Sequence, residues 1–383
     1  MLAKNSLEII KDKKEKDLEN LALRVFIEID KKAILHNFSI FRKIISPSVK
    51  FFAVVKSNAY GHGLVNTSLI LEKAGVDGLC VDSLIEGIKL RETGIKKPII
   101  ALGATLPENL FLAATYGITV TISNFFFLKS LLLIKGNIPD FHIKIDTGMR
   151  RQGFFLNDIK KVISEIKKHR RENNLKGVYT HFASAKDLYY PTLAEKQFNE
   201  FKKALEIFRQ AGFKNLICHS AATGGTLLNK KYHLDAVRIG IGLYGFFPSE
   251  ELKTELQNKI LLKPPLSFKT VITEIKKVKK GDGVGYDFSE KLSRDSKIAV
   301  LPVGYWHGLP RSLSSIGYFL VSNKQAKIIG KVSMDMTTID ISGLKAKEGD
   351  LAVLDLKNAI EKSGSISYEV LTRINPLIKR IYI

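Results

Sequence analysis

Short runs rich in β-branched and aromatic residues recur along the chain, at residues 51–55, 79–81, 99–102, 119–122, 142–145, 178–181, 216–218 and 237–239. Each is followed by a stretch of helical period. In residues 195–211, for example, Phe198, Phe201, Leu205 and Phe208 recur at the spacing that gathers side chains on one helix face. A strand followed by a helix, eight times over roughly 190 residues, predicts a parallel sheet closed into a (β/α)8 barrel of TIM type, an α/β fold. An open doubly wound sheet is the competing arrangement. No Gly-x-Gly-x-x-Gly turn follows the first run, which favours the barrel.

Beyond Lys259 the texture changes. Pro264 and Pro265 are followed by alternating segments at 267–275, 297–302, 327–332, 337–341 and 351–354, separated by turn signals such as Lys280-Gly281-Asp282-Gly283. The expected division is therefore a charged N-terminal extension over 1–23, a barrel over 24–258 and a β-rich C-terminal domain over 259–383. Residues 24–30 alternate like a strand and are a candidate to pair with the C-terminal domain. The extension carries Lys11-Asp12-Lys13-Lys14-Glu15-Lys16-Asp17 and no identifiable chemistry.

A chain of 383 residues with 45% hydrophobic content has room for two folded domains. Its two cysteines, Cys80 and Cys218, lie in apolar runs and read as buried thiols, which fits a reducing, cytoplasmic setting. The first 24 residues lack the apolar core and cleavage site of a signal peptide. The most apolar stretch, 125–134, is interrupted by Lys129 and falls short of the ~20 residues of a membrane span, so it reads as a buried helix. The net charge of +22 invites a nucleic-acid partner. Its lysines are spread evenly, with neither aromatic interleaving nor zinc or helix-turn-helix spacing, so neither nucleic acid, membrane nor metal is assigned.

In barrel enzymes the active site lies at the C-terminal ends of the strands. There the sequence ends strand one in Lys56, runs strand five into Arg151, ends strand six in His181 and strand seven in His219-Ser220, and places Arg238 on strand eight. A lysine closing an apolar strand is partly desolvated, which favours the neutral amine that attacks a carbonyl. Alone, such a lysine is more often a surface residue. Two glycine-bearing turns accompany it: Lys56-Ser57-Asn58-Ala59-Tyr60-Gly61-His62-Gly63, and Arg238-Ile239-Gly240-Ile241-Gly242-Leu243-Tyr244-Gly245, whose backbone N–H groups can approach a phosphate.

Segments 53–63, 144–153, 237–245 and 331–336 resemble those of the bacterial alanine racemases, the pyridoxal 5'-phosphate enzymes of fold type III, and the resemblance runs from about Arg24 to Ile383. It implies that Lys56 carries the cofactor covalently. It implies too that Tyr286, within Val284-Gly285-Tyr286, reaches in from the other subunit of a homodimer as the second base. Racemisation needs such a pair, one group removing the α-proton and the other returning one to the opposite face.

By the same resemblance Arg238 faces the pyridine nitrogen, where a permanent cation opposes ring protonation and disfavours side reactions. On the residues alone, an arginine paired with an acid such as Asp235 is the alternative. The resemblance assigns phosphate binding to Tyr60, Ser220, Gly240, Ile241 and Tyr368, and ring packing to His181. Arg151 and the backbone of Met334 would meet the substrate carboxylate, Tyr305 would line the entry corridor, and Lys144 is either carbamylated to orient Arg151 or a plain buried lysine.

Several positions depart from the family pattern. His219 stands where asparagine commonly precedes the serine, Arg150 replaces a glycine, Trp306, His307 and Leu309 are unusual in the corridor, and Leu377 replaces a frequent arginine. The implied function is interconversion of L- and D-alanine for peptidoglycan precursors. A broader amino-acid racemase acting on serine, since apolar packing discriminates an added hydroxyl only modestly, and a non-catalytic cofactor-binding protein are the alternatives.

Overall fold

The computed structural model describes residues 23–186 and 191–383; most of the charged extension lies outside them. The chain forms two compact units, one of residues 29–266 with Tyr382 and Ile383, the other of residues 23–28 and 267–381.

In the first unit the eight expected strands are all present: β2 (Lys50–Val54), β3 (Gly78–Val81), β4 (Ile99–Ala101), β5 (Ile118–Ile122), β6 (Phe141–Lys144), β7 (Leu175–Tyr179), β8 (Ile217–His219) and β9 (Ala236–Ile239). β1 (Val25–Ile29) precedes them. They run parallel in the order β8-β7-β6-β5-β4-β3-β2-β9. The two ends of that order meet: the Asp235 N–H donates to the Cys218 carbonyl at 3.0 Å, the Arg238 N–H donates to the Ala221 carbonyl at 2.9 Å, and Ala222 bridges Arg238. The sheet is therefore a closed barrel. Strands β3, β4, β6 and β9 are buried at every position, as expected where side chains fill the interior and helices cover the outside.

Two details differ from the sequence reading. The helix over Phe125–Leu132 buries only Leu128, Leu131 and Leu132, and Phe126 is 66% exposed. An outer helix of a barrel has a single inward face, so a run with apolar residues beyond that face leaves some of them in solvent. Cys80 is buried as expected, whereas Cys218 is half-buried. Burial pushes both thiols up to about 12, away from reactivity.

The second unit holds a nine-stranded sheet in the order β11-β14-β17-β16-β15-β18-β10-β1-β19. Its later strands are β10 (Leu266–Val271), β11 (Glu274–Val278), β14 (Ser296–Leu301), β15 (Tyr318–Val321), β16 (Lys324–Ile329), β17 (Thr337–Asp340), β18 (Leu351–Leu354) and β19 (Arg380–Tyr382), and β12 (Gly283–Val284) pairs separately with β13 (Glu290–Lys291). The single segment expected over 267–275 is two strands, split where Ile272 donates to Asp350 and Thr273 to Val300. β15 was not expected. It forms a hairpin with β16 across Ser322 and Asn323, whose φ values of +49° and +61° suit the right-handed twist of the paired strands.

A buried asparagine ties the first helix of the barrel unit (Lys31–Ile44) to the chain that follows the last strand. Asn37 donates to the carbonyls of Leu243 and Lys263 at 3.0 and 2.8 Å and accepts from the Lys263 N–H at 2.9 Å. Asn37→Ala leaves three backbone groups without this partner, one buried and two partly buried, and should destabilise the barrel unit by about 2–3 kcal/mol. Urea unfolding with an unchanged m-value would show the loss; a midpoint equal to that of the parent would refute this account.

Candidate active site

Lys56 does not close a strand. β2 ends at Val54, and Lys56 opens a tight turn in which Ser57, Asn58, Ala59 and Tyr60 all have φ between +50° and +56°. Left-handed turns of ordinary residues cost roughly 1–2 kcal/mol each, so the turn must be held from outside. Glu86 accepts from the Ser57 N–H at 2.7 Å, and Asn58 Oδ1 accepts from the Leu64 N–H at 2.9 Å. Tyr60 stacks on Tyr244 with ring centres 4.7 Å apart, and Tyr382 donates its hydroxyl to the His62 carbonyl at 2.5 Å. The turn brings Lys56 Nζ to Asp82 Oδ1 at 3.0 Å. The amine is thus an ion-paired, half-exposed group, where the sequence suggested a desolvated one. Asp82 and Glu86 escaped the sequence reading. Their signal was Ser83-Leu84-Ile85-Glu86, a capping box that the structure realises at the start of the helix over Leu84–Glu92.

Arg238 lies on β9, beside β2 in register. It is 2% exposed. Its Nη2 donates to the Thr180 and Ser220 carbonyls at 2.8 and 3.2 Å and lies 3.5 Å from His181 Nδ1, while Nη1 donates to the His219 carbonyl at 3.3 Å and meets His219 Nδ1 at 2.5 Å. The alternative pairing with Asp235 is overturned: that carboxylate accepts from the Cys218 N–H at 2.8 Å and ties β8 to the approach of β9. His181 lies two residues beyond the end of β7. Burial, and then the charges of Arg238, Lys144, Arg151 and Lys56, push its imidazole down to about 3. All four cations therefore converge on one end of the barrel.

Lys144 is buried at the end of β6. Its Nζ donates to Gln152 Oε1 at 3.0 Å, and burial with the nearby Arg151 and Arg238 pushes it down to about 8. Arg151 itself is exposed, and Arg150, with φ of +57°, lays its guanidinium over the Phe155 ring.

Gly240 opens the turn after β9. A Cβ there would come within 2.7 Å of the Tyr60 hydroxyl, so only glycine lets that phenol approach the backbone. The N–H groups of Gly240 and Gly242 both point to Thr223 Oγ1, at 3.2 and 3.4 Å, another residue sequence reasoning missed. Ile241 is buried in the same turn. Ser220 is buried too, and its hydroxyl donates to the Tyr232 carbonyl at 2.7 Å.

Tyr286, Tyr305, Met334 and Tyr368 belong to the second unit. Tyr286 is 68% exposed and opens a short turn whose Asp287 pairs with Lys331 at 2.6 Å. Trp306 donates its N–H to the Met334 carbonyl at 3.0 Å. His307 is explained by its Nδ1, which accepts from the Gly304 N–H at 3.2 Å and closes the turn carrying Tyr305. Leu377 is exposed, and burial pushes the Tyr368 phenol up to about 12.

Residues 29–248 match the family model of the alanine racemase N-terminal domain, and residues 265–382 match that of the C-terminal domain. The chain belongs to the alanine racemase family. It is 34% identical over 371 residues to the alanine racemase of Desulforamulus reducens, covering 94% of this chain and 99% of the relative. With that of Halothermothrix orenii it shares 36% over 370 residues, 93% and 96% of the two chains. The crystal structure of alanine racemase from Bacillus anthracis with bound L-Ala-P superposes with a TM-score of 0.88 at 31% identity, covering 95% of this chain and 96% of that one. The chain is thus an isomerase of the racemase type, with the barrel and β-rich architecture of its family.

The depressed imidazoles make stability depend on pH. His142 and His181, both pushed down to about 3, stay neutral in the folded enzyme at pH values where an unfolded histidine, near 6.5, is charged. Below the unfolded value the unfolded chain binds more protons, so stability falls as pH drops from 6.5 toward 3. The thermal midpoint should decline between about pH 7 and about pH 5, above most carboxylate titration. His181→Asn should flatten that slope, and a slope unaltered by the substitution would contradict the assignment.

Proposed function

We propose that the enzyme interconverts L- and D-alanine with pyridoxal 5'-phosphate at the C-terminal mouth of the barrel, in the cytoplasm, supplying D-alanine for peptidoglycan precursors. The observation that carries the reading is that Lys56, Gly240 and a buried guanidinium with no carboxylate partner among the described residues occupy the ends of the adjacent strands β2 and β9. These residues fit the cofactor. Lys56 offers an amine to its aldehyde, and Arg238 a permanent donor to its pyridine nitrogen. The Ile241 N–H and the hydroxyls of Tyr60 and Tyr368 would serve as neutral donors to its phosphate, joined by the Gly240 N–H and the Ser220 hydroxyl once these turn from Thr223 and Tyr232. His181 packs beside the ring. When bound, the cofactor supplies the electron sink that acidifies the substrate Cα–H.

The remaining work falls to the protein's own groups. Arg151 and the backbone N–H of Met334 orient the substrate carboxylate, Lys144 supports Arg151, and Tyr305 narrows the entry. Lys56 takes or returns a proton on one side of Cα, and the Tyr286 phenol does the reverse on the other. Which enantiomer is consumed depends only on which of the two begins deprotonated.

Tyr286 comes from a second copy of the chain in this reading. The exposure of Tyr286, Phe288, Trp306, Met334 and Met336, on turns linked by the Lys331–Asp287 pair and the Trp306–Met334 hydrogen bond, supports a face that a partner covers. Lys56→Ala and Tyr286→Phe should each fall below about a thousandth of parental activity. Mixed after subunit exchange, they should recover about a quarter, since half the dimers hold one intact site of two. Exchange confirmed by mass without recovery would refute the shared site. Borohydride treatment with the cofactor should label Lys56, and label found elsewhere would redirect the assignment.

A further inference from the structure

Behind Arg238 the barrel interior holds a second imidazole that the reaction does not call for. His142, on β6 and 2% exposed, brings Nδ1 to within 3.0 Å of His219 Nε2, and His219 Nδ1 in turn meets Arg238 Nη1 at 2.5 Å. We propose that His142 and His219 form a two-imidazole brace of fixed proton order that holds the direction of the Arg238 guanidinium, with both histidines acting as positioning residues.

The proton order follows from donor counts alone. A guanidinium has only donors, so His219 Nδ1 must present a lone pair to it, which places the ring proton on Nε2. That proton points at His142, so His142 Nδ1 must accept, and its own proton also lies on Nε2. A second proton on either ring would set N–H against N–H within the chain of contacts. Positive charge is therefore confined to Arg238. The surroundings agree. Tyr179 of β7 stacks flat on His219, centres 4.8 Å apart and planes within 4°, and the Arg238 guanidinium lies over the same Tyr179 ring at 5.1 Å. Phe52 of β2 closes the edge of His219 at 5.8 Å, Lys144 of β6 lies over the Tyr179 ring at 5.7 Å, and the buried thiol of Cys80 on β3 is near enough to Arg238 to act on its charge. Burial and the charge of Arg238 hold His219 well below the ordinary imidazole range and push His142 down to about 3.

The backbone makes room for this array. A Cβ on Gly177 of β7 would stand 2.6 Å from the Ile217 carbonyl oxygen of β8 and 2.7 and 2.8 Å from His142 Cε1 and Nδ1, so glycine there admits both the neighbouring strand and the second imidazole. Apolar residues would fill these positions at lower cost, because two buried rings must satisfy each other's nitrogens. Arg238 gains from the arrangement: three carbonyls hold one side of its planar fork, and the imidazole fixes the rotation that carbonyls alone leave soft.

The inference rests on Arg238 facing the cofactor, and its test keeps the two claims apart. Nitrogen-15 NMR of the histidine-labelled holoenzyme, assigned with His142→Asn and His219→Asn, should show both rings neutral, protonated on Nε2 and unchanged from about pH 5 to about pH 8. A proton on Nδ1 of either ring, or titration in that range, overturns the brace. His219→Leu should lower kcat by about 10- to 100-fold, the usual loss when an orienting partner is removed, and shift the absorption of the bound cofactor. KM should stay within about twofold. His219→Asn keeps an acceptor and should restore most of kcat; equal losses for leucine and asparagine, or none for leucine, refute a positioning role. If Arg238→Ala leaves the cofactor absorption unmoved, the placement of Arg238 against the cofactor fails instead, while the ring spectra still decide the brace.

Discussion

Burying a guanidinium costs several kcal/mol unless its donors are met, and Arg238 is met without an acid among the described residues. Neutral groups must then do the work. The carbonyls of Thr180, His219 and Ser220 come from the ends of β7 and β8, and that of His219 accepts from the Thr180 N–H at 3.2 Å as well as from Arg238. A carboxylate there would have been the cheaper partner, and it would have cancelled the charge. The enzyme thus keeps an undiminished cation in a low-dielectric interior, and the rest of the barrel mouth is arranged around that choice. Asp235, the nearest acid in sequence, is spent on the Cys218 amide.

The same economy shapes the other side of the site. Four successive left-handed residues after Lys56 are an expensive way to leave a strand, and Glu86 bears much of the burden by binding the amides of Ser57 and Asp82 with its two oxygens. One carboxylate therefore fixes both the turn that carries Lys56 and the backbone that carries Asp82. The amine is positioned by secondary contacts while staying accessible, which suits a group that must exchange protons and bonds repeatedly.

Much of this was legible in the sequence because barrel strands are buried on both faces and read as continuous apolar runs. All eight were found from that signal alone, with ends within a few residues. Where geometry departs from simple alternation the reading faltered. β15 was missed because its hairpin turns on Ser322 and Asn323 with no glycine to mark it, and Lys56 was placed on a strand because apolar residues run up to it although the ladder stops at Val54. Of the residues implied by resemblance, Lys56, His181, Ser220 and Arg238 lie at or just beyond ends of barrel strands, whereas Tyr286, Tyr305, Met334 and Tyr368 belong to the second unit. The groups that hold them, Asp82, Glu86, Thr223 and His142, did not stand out. Support residues act through angle and distance, which composition and spacing do not encode.

The vacancy that Gly177 leaves for His142 ties two positions on neighbouring strands into a single unit of inheritance. A side chain at 177 would collide with the imidazole at 142 and also with the Ile217 carbonyl oxygen, 2.6 Å from a Cβ there, so losing the ring removes only one of the two obstacles. Drift at this spot therefore runs one way: the imidazole can be lost while the glycine stays, because the backbone of β8 still requires it.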